Sequence, residues 1–134
     1  MKNVLRICIL FFVGLSFNFT VQAQTKVEWP ERRAFHSVMS TTFHPAEDGN
    51  LEPIKKRSGE MVQKAKEWKE STPPKEFDKP IIKKKLKLLY KESKALDKMI
   101  QKKASDAKIK AALTKLHDRF HEIAEACNHS QEGH

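Results

Sequence analysis

The chain contains little glycine and little cysteine, with 4 glycines and 2 cysteines among 134 residues. The glycine-rich motifs of nucleotide-binding enzymes and the Gly-x-Ser-x-Gly motif of serine hydrolases are absent, so neither enzyme class is indicated. The two cysteines are Cys8 and Cys127, and Cys8 lies in an N-terminal segment that we expect to be removed. An internal disulfide is therefore excluded, and the core has to be stabilised by packing or by a bound metal or cofactor.

Residues 1–23 have the pattern of a cleaved secretory signal peptide. Lys2 and Arg6 lead into an apolar run at 7–13, and Val21-Gln22-Ala23, which ends in a small residue before Gln24, forms the expected cleavage site. The apolar run is too short and too interrupted by polar residues to span a membrane. We therefore expect a periplasmic or secreted protein of 111 residues that is not membrane-spanning, and its net charge falls from +9 to +7 when the two basic residues leave.

Prolines divide the remaining chain into four stretches, in which apolar residues recur at steps of three and four. This spacing predicts amphipathic helices, and no segment alternates with the period of two that strands require. The predicted stripes are Phe35, Val38, Met39 and Thr42; Leu51, Ile54, Ser58, Met61, Ala65 and Trp68; Ile82, Leu86, Leu89, Ser93, Leu96 and Ile100; and Ile109, Leu113, Leu116, Phe120, Ile123 and Cys127. Such helices bury their stripes most simply in an all-α, antiparallel up-down-up-down four-helix bundle over residues 24–128, followed by a flexible tail at 129–134.

The first of these helices is predicted to be short. A residue that precedes proline is biased away from the α region, so His44 before Pro45 indicates that the helix ends there. Residues 43–50 are then expected to form a loop that folds over one end of the bundle. Asn50 is expected to cap the second helix, and Ser105 or Asp106 the last one.

Histidine is the residue type with the clearest chemical potential. His117 and His121 are four residues apart, so their rings leave the same side of the last helix and form a two-point chelate for a metal ion. Counting residues from the ends of the bundle places His36 and Met39 at the same height as this pair, with His44 higher. The sequence therefore predicts a metal site formed by His36, His44, His117 and His121.

Each of these residues also fits a role without a ligand. The histidine pair can be ordinary solvated surface, and the ring of His44 can cap a turn. Met39 and Cys127 can be core residues, because a thioether and a buried thiol both pack well in apolar surroundings. His129 and His134 are expected to be bystanders.

The signal peptide, four helices, the Thr72-Pro73-Pro74-Lys75 connection and a histidine late in the last helix give the chain a family resemblance. It resembles the periplasmic four-helix-bundle haem proteins of the soluble cytochrome b and cytochrome c-prime type. That resemblance implies axial haem ligation by Met39 and by His117 or His121. The Cys-x-x-Cys-His attachment motif is absent, so any haem would be bound non-covalently. His36, His44 and the second histidine on the last helix depart from the family pattern.

The leading hypothesis is an exported carrier, buffer or sensor of a transition metal, and the protein is not expected to be an enzyme. Several imidazoles suit copper, zinc or nickel, and the general affinity order favours oxidised copper. The alternatives are a non-covalent haem protein for electron transfer and a ligand-free basic module that binds a periplasmic protein. The scarcity of arginine among the basic residues argues against nucleic-acid recognition. Whether a homodimer completes the metal site is left open.

Overall fold

The computed structural model describes residues 27–132, and these residues form four helices that pack against one another. The helices are α1 (Pro30–Glu47), α2 (Glu52–Glu70), α3 (Pro80–Gln101) and α4 (Asp106–Glu132), with a short 3-10 turn at Lys75–Phe77 between α2 and α3. Residues 27–132 contain no strand. Both α1 and α3 pack against α2 and against α4. The prediction of an all-α four-helix fold is confirmed, whereas the predicted signal peptide at 1–23 and His134 lie outside the described residues.

Helices α1, α3 and α4 begin where the sequence marks helix starts, whereas the cap residue of α2 is Leu51 and not the expected Asn50. Prolines occupy the first turn of α1, α2 and α3, where a missing N–H removes no helical hydrogen bond. The side-chain oxygen of Asn50 accepts a hydrogen bond from the backbone N–H of Glu52 at 3.1 Å. The hydroxyl oxygen of Ser105 likewise accepts one from the N–H of Lys108 at 3.4 Å. These side chains satisfy donors that the first helical turn leaves unpaired.

The predicted stripes form the core with one exception. Every stripe residue is buried except Ile100, which is half-buried. The sequence analysis missed four further core residues, namely Trp29, Phe43, Ala46 and Phe77. Two of them close one end of the bundle, because the ring of Trp29 stacks on Phe77 and meets Trp68 edge-on. The Trp29 indole also donates a hydrogen bond to the hydroxyl of Ser71 at 2.9 Å.

The expected loop at residues 43–50 was wrong, because α1 continues through Pro45 to Glu47. Pro45 lies in the last helical turn, where it removes a single backbone hydrogen bond. Burial of Phe43 and Ala46 outweighs this loss and the bias of a residue before proline. The helix ends at Glu47, and Gly49, two residues further on, has a φ of +86° that suits glycine. The N–H groups of Gly49 and Asn50 donate to the carbonyls of Ala46 and Pro45, at 3.1 and 2.9 Å, in a Schellman motif.

The last helix is also longer than predicted. The sequence analysis ended it at 128 and assigned 129–134 to a tail, whereas α4 runs to Glu132. Ser130 extends the buried stripe beyond Cys127, and its hydroxyl donates to the carbonyl of Ala126 at 2.7 Å. A serine hydroxyl that bonds back to the helix can be buried at little cost, which a purely apolar pattern does not reveal. Of the helices in the described part of the chain, none has the length and apolar character needed to cross a bilayer.

Candidate metal-binding site

His117 and His121 form a closely spaced imidazole pair on α4. Their Nε2 atoms are 3.1 Å apart, and their ring centroids are 4.4 Å apart with an interplanar angle of 73°. The His117 side chain is only 25% exposed, whereas His121 is exposed. At this separation the N–H of one ring can donate to the lone pair of the other, and the tautomers of the two rings decide which one donates. The predicted i,i+4 geometry of the pair is present in the structure.

The ring of His117 is held flat against Phe43 of α1. The two ring centroids are 3.8 Å apart, and the planes differ by 6°. This contact exists because α1 continues as a helix past the position where the sequence analysis ended it. Stacking on a buried phenylalanine restricts rotation of the imidazole and so orients its nitrogen atoms. Phe43 was missed as a site residue because it was assigned to a loop.

His44 lies beside the same phenylalanine but faces solvent. Its ring meets Phe43 edge-on with centroids 6.0 Å apart, and its Nδ1 is 3.0 Å from a carboxylate oxygen of Glu47. Glu47 also faces α4, since its backbone carbonyl accepts a hydrogen bond from the Lys110 ammonium at 3.2 Å. The ring of His44 therefore interacts with the Glu47 carboxylate at the end of α1, and Phe43 contacts both this ring and that of His117.

His36 lies on the other side of the pair. Its ring stacks on Phe120 with centroids 4.9 Å apart and planes 13° apart, and His121 meets Phe120 edge-on at 5.5 Å. His36 and His121 both line an open cleft of about 430 Å³. Its other lining residues are Glu28, Trp29, Arg32, Arg33, Phe120 and Ala124. The structure therefore brings His36 and His121 to one cleft, as the counting of helical heights predicted.

Together these six rings form one array across the seam between α1 and α4. We call it the His–Phe strip, and its members are His36, Phe43, His44, His117, Phe120 and His121. Along the strip, each outer histidine is separated from the central imidazole pair by a phenylalanine. Within residues 27–132, no set of three or more His, Cys, Asp or Glu side chains is arranged to hold a metal ion. The described chain thus presents a two-nitrogen chelate with two further imidazoles beside it.

Two histidines of the strip, His117 and His36, have lowered pKa values and therefore favour the neutral imidazole. Burial lowers the pKa of His117, the neighbouring His121 lowers it further, and Asp118 and Glu47 oppose these effects. The pKa of His36 is also lowered, first by burial and then by the positive charges of His121 and Arg32. Because a metal ion binds only the neutral ring, these shifts keep lone pairs available to somewhat lower pH than in free histidine.

The two sulfur atoms considered as ligands lie in the core. Met39 and Cys127 are both fully buried. Burial raises the pKa of the Cys127 thiol, and the nearby Arg32 opposes the effect. A thiol with a raised pKa stays protonated and is a poor metal ligand. Both residues therefore have the packing role that the sequence analysis gave as their alternative.

Comparison of the chain with protein-family models, with curated proteins and with solved structures gave no match.

Proposed function

We propose that this chain is an exported protein that binds a transition metal ion through His117 and His121, as a carrier, buffer or sensor. The observation that carries the proposal is the 3.1 Å separation of the two Nε2 atoms. Export is part of the proposal and follows from the signal-like pattern of residues 1–23. The antiparallel direction of the helices is also part of it, and is supported by contacts that pair Phe43 with His117 and His36 with Phe120.

The distance between the Nε2 atoms of His117 and His121 suits chelation of one metal ion. With metal–nitrogen bonds of about 2.05 Å, two nitrogen ligands lie about 2.9 Å apart at a right angle and about 3.3 Å apart at the tetrahedral angle. The observed 3.1 Å lies between these values, so copper, zinc and nickel can all be reached with small ring rotations. The ion would take the place of the hydrogen bond between the two rings. Little reorganisation is needed, because Phe43 already holds His117 in place.

We expect the remaining coordination positions to be reached from the cleft, because His121 lines it. His36 is the proposed third ligand, since it lines the cleft together with His121 and is itself exposed. His44 would need to leave Glu47 and turn past Phe43, so its contribution is expected to be smaller. An open site of this kind leaves room for water or for a ligand from a second copy of the chain. Exchangeable positions suit a carrier or sensor better than a closed structural site.

The proposal is tested by titrating the chain that starts at Gln24 with Cu²⁺, Zn²⁺ and Ni²⁺. Calorimetry gives the affinity, and electron paramagnetic resonance of the Cu²⁺ complex reports how many imidazole nitrogens are bound. We expect two or three nitrogens in the unchanged chain. In the double variant His117→Ala/His121→Ala, affinity should fall by at least about tenfold, since both first ligands are lost.

His129→Ala is the matched control, because it removes one imidazole from the same helix but leaves the strip intact. His36→Ala should have an intermediate effect and lower the nitrogen count by one. Equal affinity in the double variant and in the control would contradict the proposal. So would a Cu²⁺ spectrum without nitrogen ligands in the unchanged chain.

Haem binding through Met39 and His117 or His121 stays a prediction. Full burial of Met39 in the core gives it no support, because a haem would have to displace packed side chains to reach the sulfur. Addition of hemin tests it, and a shifted Soret band that is lost in Met39→Leu would favour haem over a bare metal ion.

A further inference from the structure

The outer face of α3 carries a row of lysines that the metal-binding proposal does not use. Its members are Lys84, Lys87, Lys91, Lys94 and Lys98, and all five are exposed. At 100° per residue they fall within an arc of about 80°, opposite the buried stripe, and they extend over about 21 Å. The row therefore forms a continuous cationic surface on one side of the bundle.

Among the described residues, no acidic side chain forms an ion pair with this row. The two acidic residues of α3 are Glu92 and Asp97, and both face neighbouring helices. Glu92 binds Arg119 of α4 at 3.1 Å, and Asp97 accepts a hydrogen bond from Ser58 of α2 at 2.6 Å. Lys94 lies over the ring of Tyr90, 4.5 Å from its centroid, and this contact leaves its charge in place.

A second, apolar row lies directly beside the lysines. It consists of Ile81, Leu88, Ala95 and Met99, which fall within an arc of about 40° at the edge of the lysine row. Ile81 is 51% exposed and Met99 is 37% exposed, and these are the two large exposed hydrophobic residues of the described chain. They lie near opposite ends of α3, so apolar groups flank the cationic surface along its length.

We infer that this face of α3 binds the surface of a membrane rich in anionic lipids. Lysines next to exposed apolar side chains match the two layers of a bilayer surface, with charged headgroups outside and acyl chains beneath. A soluble polyanion would be bound by the lysines alone and gives no role to Ile81 and Met99. The inference is independent of the metal site, which lies on the seam between α1 and α4.

The inference is tested by sedimentation of the chain from Gln24 onward with vesicles. The chain without residues 1–23 is used because the signal-like segment would bind lipid by itself, and because Trp29 to Ser130 contain the whole described core. Vesicles of phosphatidylcholine with a third phosphatidylglycerol are compared with vesicles of phosphatidylcholine alone. We expect binding to the anionic vesicles, which weakens as salt shortens the Debye length from about 10 Å at 0.1 M.

Two double variants test the lysine row and the apolar row one at a time. Lys84→Glu/Lys91→Glu should weaken vesicle binding by at least about tenfold, because each lysine near an anionic surface contributes about a fivefold gain. Ile81→Ser/Met99→Ser keeps every charge and should weaken binding by about fivefold or more, since it removes the groups that enter the acyl layer. Lys56→Glu/Lys66→Glu makes the same charge change on α2 and serves as the control.

All of these positions are at the surface, so circular dichroism should show an unchanged fold. Equal vesicle binding by the control and by Lys84→Glu/Lys91→Glu would overturn the inference. It would also be overturned if Ile81→Ser/Met99→Ser bound vesicles as strongly as the unchanged chain, because the surface would then be one for soluble polyanions. Failure to bind anionic vesicles at low salt would have the same consequence.

Discussion

Replacing Phe43 with alanine should change both the stability of the bundle and the titration of His117. Phe43 is only 8% exposed, and its ring covers the imidazole of His117 at 3.8 Å. Truncating a buried phenylalanine to alanine usually costs about 3–5 kcal/mol. Since Phe43 lies near the end of α1, where the surroundings can partly relax, we expect about 3 kcal/mol. For a domain of this size that loss lowers the melting temperature by about 12 °C or more.

The same substitution should raise the pKa of His117. Burial is the largest cause of the lowered pKa of this ring, and Phe43 provides much of that burial. With water admitted to the imidazole, its pKa should move up towards the usual value of 6.5. Phe43→Leu is the matched control, because it keeps most of the apolar volume and should show smaller changes in both stability and pKa.

Urea unfolding measures the stability change, and a pH titration of the imidazole carbon-bound protons by nuclear magnetic resonance measures the pKa. Loss of the stacked ring should also move the His117 proton resonances, which identifies the residue. A Phe43→Ala variant with unchanged stability would show that this ring is not part of the core. A variant that is destabilised while the His117 pKa stays the same would refute the assigned cause of the pKa shift.

Three further predictions concern other parts of the fold. Lys103 follows α3 and has a φ of +55°, which glycine adopts more easily than lysine. Lys103→Gly should therefore raise the free energy of unfolding in urea by about 0.5–1 kcal/mol. Lys102→Gly, at a φ of −84°, should not raise it. Arg119 donates two hydrogen bonds to the carboxylate of Glu92, whose side chain is 16% exposed. Arg119→Ala should therefore lower the free energy of unfolding by about 1–2 kcal/mol, and Arg119→Lys by less. Equal losses in the two variants would argue against a role for the paired hydrogen bonds. The folded-state pKa values of His36 and His117 are lowered, so the neutral forms of these two rings favour the folded state above pH 6.5. Their contribution to the free energy of unfolding should be lost as pH falls through the folded-state pKa values. Urea unfolding from pH 8 to pH 5 measures the loss, and it should shrink in the His36→Gln/His117→Gln variant.

The buried faces of the helices could be predicted from the sequence alone. Ile54, Met61 and Trp68 recur at helical spacing and are all fully buried, because an apolar residue at this spacing can leave water only on one side of a helix. The helix starts at Pro30 and Pro80 followed from the same local chemistry, since proline fits the first turn without losing a hydrogen bond. The close spacing of His117 and His121 also required nothing beyond the pitch of the helix.

The tertiary structure decided what local rules left open or misjudged. At Pro45 the local bias against helix was outweighed by burial of Phe43 and Ala46 against the rest of the bundle, so α1 runs further than its own sequence indicates. The stacking of Phe43 on His117 joins residues of two helices that are far apart in the chain, and no periodicity within either helix contains it. The sequence thus determined which side chains each helix offers, and packing between helices determined which of them meet, because ring contacts depend on the relative height and rotation of neighbouring helices.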